Sequence, residues 1–134
     1  MTTIAEYEAR RERLCTALES GRFPQIAGGL HSAEGYCCLG VASEVSGLGE
    51  WVAPAHPERH LFKYVISTFA EDAVMPKEVM EYYGFTDREG SYSNDEREVF
   101  TALWELNDKE RKTFPQIAAI IRSKPVGLFQ EGTY

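Results

Sequence analysis

Gly35-Tyr36-Cys37-Cys38-Leu39-Gly40-Val41 is the stretch that decides how this chain folds. It places two adjacent cysteines at the beginning of an apolar segment over about 37–46. Within this segment Cys38, Val41, Ala42 and Val45 recur at helical spacing. Gly47 follows, and glycine commonly ends helices because it adopts a left-handed backbone without strain. The stretch therefore predicts a short buried helix that begins beside the cysteines.

Two longer helices are predicted by capping boxes, in which two side chains satisfy free backbone N–H groups at a helix start. Thr3 with Glu6 opens a helix over about 4–20. Thr113 with Gln116 opens the last helix, which a proline ends. Both helices carry apolar residues at helical spacing, which predicts that each packs one face against the core.

Two further helices are predicted in the second half of the chain. Pro76 and Gly84 bound a short helix, since proline is tolerated in a first turn and glycine suits the C-terminal cap. Ser93 with Glu96 forms a third capping box. The helix that it opens carries apolar residues at helical spacing and ends at Asn107-Asp108. These apolar residues are Val99, Phe100, Leu103 and Trp104.

The remaining segments have less regular patterns. Residues 22–35 contain Gly28-Gly29 and predict a turn or a short strand-like excursion, while residues 61–69 fit either a strand or a buried helix. The predicted fold class is mainly α. We expect a compact single domain over 1–125 with about five helices, an irregular Gly-rich loop and a minor β-hairpin. An extended C-terminal tail follows over 126–134.

Composition and charge exclude several classes of protein. The chain has 134 residues and a net charge of −7, which disfavours duplex nucleic acid as a partner because phosphate binding needs a positive surface. An acidic surface could instead meet a basic protein or imitate nucleic acid. Three cysteines, two of them adjacent, argue against a disulfide framework. No signal-peptide profile and no long apolar run is evident, so we expect a soluble cytoplasmic protein without membrane contact.

The cysteines allow a catalytic reading and a structural one. A thiol at a helix N-terminus has its thiolate form favoured by the helix dipole. If the protein is an enzyme, Cys37 would be the nucleophile, His31 its base and Asp108 the group that orients the histidine. Alternatively, both cysteines are small buried apolar groups. His56 and His60 lie in a proline-containing loop that lacks helical ligand spacing, so we expect no metal.

Leu106-Asn107-Asp108 also has two interpretations. Its polar side chains cap the end of the preceding helix, or they face Gln25 and the glycine loop as the floor of a polar pocket. Such a pocket suits a base or a ribose. The loop lacks the lysine and glycine spacing of known phosphate-binding fingerprints, so no cofactor is predicted. The candidate ligand-binding residues are Gln25, Gly28, Gly29, His31, Tyr36, Cys37, Trp104, Asn107 and Asp108.

From Leu18 to about Ser123 the chain resembles a family of small uncharacterised proteins of bacteriophages and bacteria. The resemblance rests on the cysteine stretch and on Leu106-Asn107-Asp108 as a pair. It extends to further positions at both ends of the chain. These are Ala17, Leu18, Gln25, Met75-Pro76-Lys77-Glu78-Val79, Gly84, Phe114, Ile117, Ala118 and Ile121.

The resemblance implies a phage or mobile-element context and brings no established activity. We therefore expect a non-enzymatic accessory protein, of the kind that interferes with host defence. Its partner would be a host protein or a small nucleotide-like ligand, met in the host cytoplasm. The alternatives are a cysteine-dependent hydrolase or transferase using Cys37, and an acidic inhibitor or mimic acting on a nucleic-acid enzyme. The apolar tail over 126–134 either folds back on the core or makes a homo-oligomer contact.

Overall fold

A computed structural model of the chain describes residues 1–56, 58–94 and 99–134. These residues form five helices and seven short strands. The helices are α1 Ile4–Glu19, α2 Cys38–Ser46, α3 Lys77–Tyr83, α4 Leu103–Asp108 and α5 Phe114–Ser123. The strands are β1 His31–Ser32, β2 Gly35–Tyr36, β3 Glu50–Val52, β4 Lys63–Ile66, β5 Phe69–Glu71, β6 Ser91–Asn94 and β7 Val99–Ala102.

The prediction of a mainly α fold is wrong, because the described residues combine these helices with three small antiparallel sheets. β1 pairs with β2, β6 pairs with β7, and β3-β4-β5 form a three-stranded sheet. Residues 61–69, which the pattern left open, supply β4 and the start of β5, and their turn contains Ser67 in a left-handed conformation. The protein is therefore mixed α and β.

The helix predicted to open at Ser93 is also wrong. Ser93 lies in β6 and faces Phe100 across the hairpin, and α4 begins only at Leu103. Glu96, the other half of the expected capping box, lies outside the described residues. The apolar spacing led to a wrong helix start because it runs across the boundary between β7 and α4. Phe100 is 77% exposed on its strand, whereas Leu103 is buried on its helix.

The two outer capping boxes are confirmed. The Thr3 hydroxyl accepts the Glu6 N–H and the Thr113 hydroxyl accepts the Gln116 N–H, with the reciprocal bonds also present. α1 packs against α2, α3 and α5, and these helices enclose most of the core. The largest fully buried side chains are Tyr64, Tyr83, Phe85, Leu14, Leu18, Leu30, Leu39, Met75, Leu103, Ile117, Leu128 and Val41.

Arg11 interrupts the apolar stripe of α1, yet it is only 4% exposed. Its Nε donates to the Tyr83 carbonyl oxygen at 2.8 Å, and its two terminal nitrogens donate to the carbonyl oxygen and hydroxyl of Thr133 at 2.9 and 2.6 Å. The guanidinium carbon lies 3.7 Å from the centroid of the Phe129 ring. Burial lowers the pKa of Arg11 to about 10, so the group is still charged at neutral pH.

The C-terminal segment 126–134 lies along residues 84–93. Phe129 stacks on Phe85, and the Gln130 N–H donates to the Gly84 carbonyl oxygen at 2.8 Å. Leu128 is fully buried, while Val126 and Tyr134 are exposed. The domain end at residue 125 and an oligomer contact through this segment stay predictions. Within the chain, however, its central apolar side chains already have partners.

We predict that Arg11→Ala destabilises the protein by about 3 kcal/mol, since it leaves buried carbonyl acceptors without the charged donor to which they bonded. The measurement is the free energy of unfolding in urea. Arg13→Ala is the matched control, because Arg13 is exposed and bonds only to the Tyr82 hydroxyl. We expect that control to cost less than about 1 kcal/mol. Equal small losses in both variants would contradict the role given to Arg11.

Candidate functional site

The side-chain amide of Asn107 joins three segments in the interior. Asn107 is 3% exposed. Its Oδ1 accepts from Gln25 Nε2 at 2.8 Å and from the backbone N–H of Cys38 at 3.2 Å. Its Nδ2 donates to the Ile26 carbonyl oxygen and to Asp108 Oδ1, both at 2.7 Å. Each end of one amide thus holds two partners.

Asp108 and Gln25 extend this network to the chain on either side. Asp108 Oδ2 accepts the Gly28 N–H at 3.0 Å, and Gln25 Nε2 also donates to the Lys112 carbonyl oxygen at 2.8 Å. Four of the candidate ligand-binding residues therefore come together around Asn107. Their polar groups bond to one another, and none of the buried side-chain nitrogen or oxygen atoms in the described residues is without a partner.

The beginning of α2 is closed by protein groups. The Cys37 side chain provides no cap, and the first free N–H of the helix, that of Cys38, goes to Asn107. A Cβ at Gly40 would overlap the Leu30 carbonyl oxygen, which also accepts the Cys37 N–H at 3.0 Å. Glycine at position 40 is therefore required by close packing. Neither Gly28 nor Cys38 has a free N–H for a phosphate.

The thiols lie in the core. Burial, the largest effect, raises the pKa of Cys37 to about 11, although the backbone N–H groups of Gly40 and Leu39 act in the opposite direction. Burial likewise raises the pKa of Cys15 to about 12 and that of Cys38 well above its ordinary value. At neutral pH these groups are therefore protonated thiols, and protonated thiols are poor nucleophiles.

His31 belongs to an aromatic cluster. Its ring stacks on Tyr36 with centroids 3.8 Å apart, and it meets Trp51 and Phe62 edge-on. Its Nδ1 lies 2.7 Å from the Gly35 carbonyl oxygen, which can only accept, so Nδ1 carries the proton. No hydrogen bond described for residues 1–56, 58–94 and 99–134 joins His31 to Cys37. The predicted nucleophile and base are not paired.

Trp104 lies apart from the Asn107 network. Its indole N–H is 3.4 Å from Glu89 Oε2, and the Lys109 ammonium sits 5.2 Å from its ring centroid. Gly29 packs against Leu61, whose side chain would overlap a Cβ added there. Trp104 and Gly29, both candidate ligand-binding residues, therefore make these contacts outside the Asn107 network.

A cleft of about 700 Å³ opens beside the glycine loop, and we call it the basic cleft. Its lining includes five polar side chains, namely His56, Arg59, His60, Lys63 and Asp72. It also includes small apolar side chains, namely Ala27, Val52, Ala53, Pro54, Ala55 and Leu61. Gly28 also lines it and is the one member of the candidate ligand-binding set that does. Its volume is typical of small-molecule sites.

The basic cleft lies on the outer face of the β3-β4-β5 sheet. Val52 faces Lys63 across β3 and β4, and the next pair along is Trp51 with Tyr64. Because neighbouring pairs point to opposite faces of a sheet, the buried Tyr64 marks the core face and Val52 with Lys63 the outer face. The chain enters β4 through Phe62, whose N–H bonds to the His31 carbonyl oxygen at 2.9 Å.

Sequence reasoning missed Arg59 and Lys63, and it considered His56 and His60 as metal ligands or as a base for a cysteine nucleophile. The signal was present, because four basic or imidazole side chains occur within residues 56–63 of an acidic chain. No cluster of three possible metal ligands occurs in the part of the chain that the structure describes.

Residues 8–125 match the model of a family described as Domain of unknown function (DUF8296). The chain belongs to the DUF8296 family. No curated protein and no solved structure matches it. The family match covers the Asn107 network and the basic cleft, and it excludes the segment 126–134. Among the described residues of this DUF8296 member, no helix has the length and apolar character needed to cross a membrane.

We predict that none of the three cysteines of this DUF8296 member reacts appreciably with Ellman's reagent at pH 8 in the folded state. A pKa of about 11 leaves roughly one thousandth of Cys37 as thiolate at that pH, and burial blocks access. Reactivity should rise with pH toward 11, where the thiolate becomes abundant. All three should react at once in guanidinium chloride. Fast labelling of one thiol at pH 7 would instead favour the cysteine enzyme.

We predict that Asn107→Ala costs about 3 kcal/mol of the free energy of unfolding, because it leaves the buried Cys38 N–H and the Ile26 carbonyl without partners. Asn107→Asp should cost at least as much, since it places a carboxylate oxygen against the Asp108 carboxylate. The control is Gln130→Ala, which removes an exposed amide. Urea denaturation of the three variants measures the difference, and a loss at Asn107 no larger than at Gln130 would contradict the network.

Proposed function

We propose that this protein is a non-enzymatic accessory protein of a phage or mobile element, and that it sequesters a small nucleotide-like ligand in the basic cleft. It would act in the cytoplasm of the host. The proposal is based on the basic cleft, a concave site lined by Arg59, Lys63 and two histidines.

The charge distribution supports an anionic ligand. The chain carries a net charge of −7, so its surface as a whole repels anions. The basic side chains of the cleft make the charge positive there. In residues 1–56, 58–94 and 99–134, the ion pairs within 4 Å involve other side chains, and neither Arg59 nor Lys63 takes part in one. Both cations are thus available to phosphoryl oxygens, which are strong acceptors.

One other concave surface of the described chain is less suited to an anion. A groove between α1 and α5 contains Arg122 and Lys124, but Arg122 is paired with Glu12 and Glu19, and Lys124 lies 3.6 Å from a Glu8 oxygen. Their charges are already neutralised, whereas those of the basic cleft meet a single carboxylate side chain, that of Asp72.

Binding without catalysis is favoured over the cysteine-dependent enzyme. The raised pKa of Cys37 disfavours its thiolate, and His31 is hydrogen-bonded to Gly35 rather than to the thiol. The acidic inhibitor or mimic of a nucleic-acid enzyme rests on the net charge alone. A phage context follows from the resemblance noted above, and sequestering a nucleotide signal of host defence is an accessory role that fits such a cleft.

We predict that calorimetric titration with a panel of AMP, ADP and cyclic dinucleotides yields at least one ligand. Arg59→Ala combined with Lys63→Ala should weaken its binding by at least about tenfold, because two charge-assisted contacts are lost. The matched control combines Arg13→Ala with Lys77→Ala, which removes the same charge from exposed positions outside the cleft lining. Mass spectrometry after incubation should recover the ligand intact.

Three outcomes would contradict the proposal. If no compound of the panel binds, the protein has no nucleotide-like ligand among those tested. If both double variants weaken binding equally, the ligand does not bind in the basic cleft. If the ligand is cleaved, the protein is an enzyme.

A further inference from the structure

We infer that the basic cleft recognises the phosphorylated sugar of its ligand and leaves the base outside, so that ribose 5-phosphate is a sufficient ligand. This rests on the proposed function and narrows it to one part of the ligand. Three features of the cleft support the inference: its cations, the kind of apolar side chains that line it with them, and one carboxylate.

The cations fit a single phosphoryl group. Arg59 offers a planar fork of N–H donors that matches two phosphoryl oxygens at once, and Lys63 adds a compact positive charge. The imidazoles of His56 and His60 supply further donors to the same cleft. All four groups come from the connection over 53–62 and the first residue of β4.

The apolar part of the lining offers little to a nucleobase. It consists of alanine, valine, proline and leucine side chains, and no Phe, Tyr or Trp occurs among the described residues that line the cleft. Proteins usually hold bases by stacking them on aromatic rings. The nearby rings belong to the other face of the sheet, where Trp51 packs against Tyr64 with centroids 4.7 Å apart. Small aliphatic groups instead suit the carbon skeleton of a pentose.

Asp72 provides the acceptor that sugar hydroxyls need. Its carboxylate lines the cleft, and its position is set by the backbone because its carbonyl oxygen accepts the Leu30 N–H at 2.8 Å. An ionised carboxylate accepts hydrogen bonds from hydroxyl groups and repels a second phosphate. The cleft therefore selects a phosphate monoester that carries hydroxyl groups beside it.

Two parts of the cleft are held in place by bonds within the protein. Asp108 fixes the Gly28 edge through its 3.0 Å bond, and the Val52–Lys63 pair closes the sheet beneath the 53–62 connection. A preformed site spends little binding energy on ordering itself. This allows a ligand as small as a pentose phosphate to bind measurably.

The test is calorimetric titration of the full chain with ribose 5-phosphate, AMP, adenosine and inorganic phosphate. Ribose 5-phosphate and AMP should bind within about threefold of each other, with adenosine and inorganic phosphate each at least about thirtyfold weaker. Arg59→Ala should weaken ribose 5-phosphate and inorganic phosphate alike. Asp72→Ala should weaken ribose 5-phosphate by about tenfold and leave inorganic phosphate unchanged or tighter. Glu81→Ala, an exposed position in α3, is the charge-matched control.

The contradictory outcomes separate the inference from the proposed function. If AMP binds in an Arg59-dependent manner and at least about tenfold more tightly than ribose 5-phosphate, the base is recognised. The inference then fails and the proposed function stands. If inorganic phosphate alone binds as tightly as ribose 5-phosphate, the sugar contacts are refuted. If neither AMP nor ribose 5-phosphate nor any cyclic dinucleotide binds, both proposals fail.

Discussion

The four hydrogen bonds of the Asn107 amide are the constraint on which the rest of the structure depends. α2 begins at Cys38, and the side chain of Cys37 before it provides no cap, so the Cys38 N–H bonds instead to Asn107, 69 positions further along the chain. The same amide holds Ile26 and Gln25, and these bonds bring the glycine loop against α4. A buried amide with both ends satisfied specifies one arrangement, because any other leaves polar groups unpaired at a cost.

This network also explains why the core and the proposed binding surface are separate. One carboxylate oxygen of Asp108 accepts from Asn107 and the other accepts the Gly28 N–H, so both oxygens bond to groups of the protein itself. Gly28 then presents its outer side to the basic cleft. Residues that looked like ligand-binding groups therefore position a wall of the cleft. The charged groups that face solvent come from the 53–62 connection and from Lys63 in β4, whereas Tyr64 of the same strand packs in the core.

Arg11, at the other end of the core, is also a buried polar side chain that joins separate segments through hydrogen bonds. It is buried among neutral acceptors and the Phe129 ring, and it ties α1 to the end of α3 and to the C-terminal segment. The DUF8296 match ends at residue 125, so in this chain part of the shell around a buried cation comes from residues beyond the family domain. A cation buried in this way is tolerated because each bonded nitrogen meets an oxygen acceptor.

The sequence by itself determined the features that depend on neighbours three or four residues apart. The capping boxes at Thr3 and Thr113 and the glycine end of α2 are of this kind, because their partners lie within one helical turn. Only the tertiary structure decided that Phe100 lies in a strand, since strand formation there depends on pairing with β6. It also decided that Asn107 is a structural amide and that residues near 28, 56–63 and 72 form one cleft, because sheet pairing joins segments that local patterns treat separately.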